Sequence, residues 1–139
     1  MPRDIERDAH VRTAVVVAIV LAIALAHAFR VGTYLGGSLS RLYYSYFSDV
    51  AIPFCMYLLL CLRARRLPLL ADWRARALLV FGIASFAEVM QAFGVPLLGR
   101  TFDPLDFAMF ATGVALGAIV DRVALARLPG ARERRPKEE

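Results

Sequence analysis

The chain has 139 residues, 59% of them hydrophobic, and a mean hydropathy of +0.56. A water-soluble domain of this size would leave too much Leu, Val and Ala facing water, which excludes that class first. Nor is the net charge of +5 a nucleic-acid footprint, because the basic residues fall between apolar blocks instead of gathering on one face.

Four apolar segments follow one another, at residues 13–29, 42–62, 75–98 and 104–120. A bilayer-spanning helix needs roughly 20 predominantly apolar residues. The third segment meets that length, the first and fourth are shorter, and the second is diluted by Tyr43, Tyr44, Ser45, Ser48 and Asp49. The expected fold is all-α: one integral membrane four-helix bundle over residues 1–128, followed by a charged, disordered tail at 129–139.

The N-terminal arm carries Arg3, Arg7 and Arg12 ahead of the first segment, which gives it the look of a signal peptide. Ala26-His27-Ala28 also resembles a cleavage site. The length of the apolar run and the acidic residues Asp4, Glu6 and Asp8 favour a retained span instead. The glycines at 32, 36 and 37 then predict an outer loop. Tyr34, Tyr43, Tyr44 and Tyr46 gather at the next boundary as an aromatic belt.

In the second segment Pro53 removes the helical donor for the carbonyl of Asp49. Cys55 and Cys61 lie about 600° of helical rotation apart, so they cannot pair and are expected to pack as small apolar groups. Gly94 and Pro96 predict the end of the third helix near Phe93. Pro104 suits a first helical turn, with Asp103 as N-cap and Asp106 at the positive end of the helix dipole. Gly113 and Gly117 form a small-xxx-small pair for close packing within the bundle.

Basic residues order the topology. Three precede the first segment, five (Arg63, Arg65, Arg66, Arg74 and, at the start of the third segment, Arg76) belong to the second connection, and six follow the fourth, whereas the other two connections hold two and one. The positive-inside rule places both termini in the cytoplasm, and Trp73 beside the basic second loop suits an interfacial anchor. Counted from the cytoplasmic ends, His27, Asp49, Glu88 and Asp106 all lie 13 or 14 residues in, or about 20 Å deep. The expected site is therefore one polar layer in the outer half of the bilayer, built by the second, third and fourth helices. The cytoplasmic half of those helices is expected to be almost purely Leu, Ala, Val, Phe and Ile.

Glu88 and Gln91 share a helix face with Ser85 one turn earlier, and Asp106, Phe110, Gly113 and Gly117 share another. An ionised carboxylate at this depth costs several kcal/mol unless paired or hydrated. Arg100, in the connection between the two helices, is the nearest cation. His27 alone, without fixed local spacing, does not make a metal site, and no Cys/His grouping suggests zinc or redox chemistry. No metal and no cofactor are expected.

The run Glu88-Val-Met-Gln91-Ala-Phe93, then Arg100-Thr-Phe102-Asp103-Pro-Leu-Asp106, then Gly113 and Gly117, resembles the signature of VanZ-like membrane proteins. The match covers roughly the C-terminal third. The VanZ pattern has Asn where this chain has Phe110. An aromatic there, and the run Tyr46-Phe-Ser48-Asp49 entering the second span, resemble a sister family of small membrane proteins more closely. The resemblance implies work at the envelope of a bacterial inner membrane and an association with resistance to teicoplanin-type glycopeptides. It carries over the positions Glu88, Gln91, Arg100, Asp103 and Asp106, to which the residue pattern adds Asp49.

Three functions compete on this basis. The first is a site for an amphipathic envelope lipid or lipid-linked ligand, with Arg100 on a phosphate and Glu88 and Asp106 on a sugar or amine. Paired carboxylates there could also act as acid and base. The second is a structural network that fixes helix packing. The third is a cation or proton pathway, against which the apolar cytoplasmic half counts.

Overall fold

The computed structural model describes residues 2–64, 67–95 and 102–128. Arg100 and the charged C-terminal tail lie outside the described residues. With no water in the hydrocarbon core, a backbone that crosses it must satisfy its own N–H and C=O groups, and helices do so within one segment. The described chain forms four: α1 (Pro2–Ala28), α2 (Gly37–Arg63), α3 (Trp73–Ala92) and α4 (Pro104–Ile119). All four are long and apolar enough to cross a bilayer, and the chain is a multi-pass membrane protein. Large apolar side chains such as Leu78 (72% exposed) and Phe86 (61% exposed) cover its outer surface, where acyl chains replace water as solvent.

Helix ends follow local chemistry. α1 stops where Arg30 turns left-handed, at φ 50°, and a short 3-10 turn (Val31–Tyr34) leads into α2. α2 begins five residues earlier than the apolar pattern predicts, at Gly37, whose φ of +57° a side chain would resist. Ser38, Ser40 and Arg41 form its polar first turn, which a hydropathy count cannot see. Pro53 stays inside the helix, buried.

Asp72 caps α3 by accepting a hydrogen bond from the Arg74 N–H at 3.0 Å. The far end of α3 closes in a Schellman motif: Gly94 (φ +79°) donates to the Gln91 carbonyl and Val95 to the Met90 carbonyl, both at 2.9 Å. Asp103 caps α4 by accepting from the Leu105 N–H at 2.9 Å, with Pro104 in the first turn. α4 does not stop at Ile119. It widens into a π-helical turn (Val120–Ala124) and a final 3-10 turn (Leu125–Arg127).

α2 is the central element, packed on α1, α3 and, most extensively, α4. Gly113 lies against the Val50 backbone and Gly117 against the Tyr57 ring, leaving no room for a Cβ. On the other side, Tyr43 donates to the Ala26 carbonyl at 3.0 Å and ties α2 to α1. The buried apolar core joins Val16, Tyr57, Leu58, Cys61, Val80, Val114, Ala118 and Leu125. All but Val16, near the middle of α1, lie toward the end of the bundle that holds the termini. That half is closed by close packing; the opposite half leaves space between α2, α3 and α4.

Candidate functional site

That space is a cavity of about 260 Å³. Ser45, Ser48 and Asp49 line it from α2, Glu88 and Gln91 from α3, and Asp106 and Phe110 from α4, above a floor that includes Pro53, Met56 and Ala84. Helical spacing explains the convergence. Asp49 and Pro53 are one turn apart on the inner face of α2, Ala84 and Glu88 on that of α3, and Asp106 and Phe110 on that of α4.

Glu88 is 3% exposed, and both its oxygens are occupied. Gln91 Nε2 donates to Oε2 at 3.0 Å, and the Asp103 backbone N–H donates to Oε1 at 2.8 Å. Through these two bonds Glu88 ties the end of α3 to the capping residue of α4. Asp49 and Asp106 differ. Both are half-buried, and neither carboxylate has a hydrogen-bond partner among the described residues. The Asp49 carbonyl also lacks its helical donor, because residue 53 is proline. No Arg, Lys or His among the described residues lines the cavity. The lining thus holds three carboxylates as acceptors, against the Ser45 and Ser48 hydroxyls and one amide as donors.

The sequence-predicted residues divide accordingly. Asp49, Glu88, Gln91 and Asp106 meet in one cavity. Asp103 does not line it; its side chain caps α4 while its N–H holds Glu88. His27 stays outside the layer to which its depth assigns it. It is exposed, stacks on Phe47 at 6.2 Å, and lines a separate apolar groove between α1 and α2. That groove, of about 370 Å³, shares Ser48, Ile52 and Met56 with the polar cavity, so the two are contiguous across one face of α2. Ser85 lies beside the site, with its hydroxyl buried and unpartnered. Cys55 and Cys61 are free thiols. Among the described residues, no three His, Cys, Asp or Glu side chains stand close enough to hold a metal ion.

One expectation is overturned. The termini half of the bundle is not purely apolar, because Asp121, in the π-helical turn after α4, is buried there between two arginines. Arg12 Nη2 and Arg76 Nη2 each lie 2.7 Å from one of its carboxylate oxygens. Arg76 also donates to the Leu70 and Ala71 carbonyls and lies over the Tyr57 ring at 5.5 Å. Hydropathy assigned Arg12 and Arg76 to water and ended the fourth span at residue 120, one short of Asp121. The signal was in the spacing. Arg76, Val80, Ala84 and Glu88 recur every four residues, and Asp121 extends the series Gly113, Gly117 by the same step.

The fold and the cavity together define a small polytopic helical membrane protein with an acceptor-rich polar pocket inside one half of its bundle. No known protein family, curated protein or solved structure matches the chain.

Proposed function

We propose that this is a VanZ-like protein of a bacterial inner membrane, with both termini cytoplasmic, whose pocket faces outward and binds the head group of an amphipathic envelope lipid or lipid-linked ligand. The observation that carries the proposal is the excess of acceptors in the lining, with no cation among the described residues that face it. Such a site complements hydroxyl and ammonium donors, as a sugar or an aminated head group would present. Asp49 and Asp106 are the direct contacts, and Glu88 is the wall that positions Asp106 through the Asp103 cap. The contiguous apolar groove between α1 and α2 receives a hydrocarbon chain. Arg100, three residues before the Asp103 cap in sequence, engages a phosphate of the same ligand. If the ligand is processed, Asp49 and Asp106 are the carboxylates free to act as base and acid. Protection against teicoplanin-type glycopeptides is the expected phenotype.

Lipid mass spectrometry of the purified protein tests this. A species enriched with wild type should disappear from Asp106→Asn and Arg100→Ala preparations that fold normally. Identical profiles in all three would refute the site. They would favour the structural alternative, which the two hydrogen bonds of Glu88 support: a network that only holds α3 to α4. Proton or cation uptake into proteoliposomes, lost in Asp106→Asn, would instead mark a transport pathway.

A further inference from the structure

A second cavity, of about 230 Å³, opens at the termini end of the bundle, where Arg12, Asp72, Trp73, Arg76, Asp121 and Arg122 meet. We propose that it is a binding site for a phosphate-bearing anion at the level of the lipid head groups, separate from the carboxylate pocket.

Consider the donors and acceptors in turn. Each oxygen of Asp121 is already held by one arginine. Asp72 is committed to capping α3. Although its Nε is buried without a partner, Arg76 is engaged through both terminal nitrogens. Arg12 is not. Its side chain is nine-tenths buried, yet it makes a single hydrogen bond, from Nη2. Its Nε is buried without a partner, and its Nη1 has no acceptor among the described residues.

A guanidinium carries five N–H donors in a fixed fork that matches phosphate geometry, and buried donors left unpaired are costly. An anion in the cavity would supply the missing acceptor. Arg122, exposed and lying over the Trp73 ring at 5.1 Å, stands at the mouth as a second, adjustable cation. Three arginines therefore face two carboxylates, of which Asp121 is shared between Arg12 and Arg76 and Asp72 is committed to the α3 cap. The positive end of the 20-residue α3 points to the same place. Trp73 at the start of a span marks the membrane–water boundary, so both lipid phosphates and soluble phosphate are within reach.

Trp73 is the single tryptophan of the chain, so its emission reports on this end of the bundle; Trp73 and Arg122 also line a neighbouring groove, whereas Arg12 lines this cavity and not that one. The full chain is placed in phosphatidylcholine nanodiscs and titrated with phosphatidylglycerol. In parallel, detergent-solubilised protein is titrated with inorganic phosphate. A saturable change in emission is expected. Arg122→Gln should weaken half-saturation about tenfold, and Arg12→Lys, which keeps the charge but removes the fork, should weaken it similarly. Arg127→Gln, an exposed arginine outside the lining, should leave it unchanged. A response to phosphatidylglycerol alone assigns a lipid head group; a response to inorganic phosphate assigns a soluble source. No saturable response to either would overturn the proposal, and so would an Arg127→Gln effect as large as that of Arg122→Gln, which would mean surface charge alone.

Discussion

The two polar clusters sit at opposite ends of the same helix faces and solve the burial of charge in opposite ways. At the termini end Asp121 is bracketed by Arg12 and Arg76 at 2.7 Å each, and close apolar packing surrounds the three. At the other end Asp49, Glu88 and Asp106 share a cavity, and only Glu88 is hydrogen-bonded among the described residues. A buried pair broken on one side is strongly destabilising, whereas a carboxylate beside an open cavity can be hydrated or met by a ligand. One cluster pairs its carboxylate and braces the bundle; in the other, Asp49 and Asp106 have no partner among the described residues.

Substitutions should separate the two. Asp121→Ala strands two buried guanidiniums and should cost about 3–5 kcal/mol, measured as a large drop in thermal stability in detergent. A change below about 1 kcal/mol would mean that the arginines simply reorient to water and that the brace is not one. Gly113→Ala acts between the clusters, forcing a Cβ onto the Val50 backbone. It should destabilise by about 1–3 kcal/mol through overpacking and disturb both ends together. Wild-type stability there would show that α2 and α4 can separate freely. The smallest effect on stability, under about 0.5 kcal/mol, is expected for Asp106→Asn, because that side chain has no partner to lose among the described residues. Its cost should fall on ligand retention alone. Should Asp106→Asn unfold the protein as readily as Asp121→Ala does, the distinction between brace and pocket fails.

Part of this arrangement is legible in residue order. Gly94, Asp103 and Pro104 mark helix ends because their backbone chemistry is local, and the structure uses each of them as a cap or turn. Asp49, Glu88, Gln91 and Asp106 stand out because a polar residue inside an apolar run has few reasons to be there. Arg12, Arg76 and Asp121 did not stand out. Near the end of a span an arginine ordinarily reaches water, and window hydropathy gives no reason to think otherwise. Depth along a helix says nothing about which way a side chain faces, and His27, counted to a similar depth, does not line the polar cavity. Its ring lies on Phe47, over the apolar groove.

Composition and spacing by themselves determined that the chain crosses a membrane four times and which faces of α2, α3 and α4 turn inward. Both follow from properties that each segment carries alone: apolar length, and a repeat near 3.6 residues. Only the tertiary structure decided which buried charges find partners. Pairing depends on distances between helices, and those were set by Gly113 and Gly117 against α2 and by the π-helical turn that carries Asp121. Residues 109 positions apart in the chain, Arg12 and Asp121, became neighbours, while Asp49 and Asp106 were brought to one cavity with no partner among the described residues.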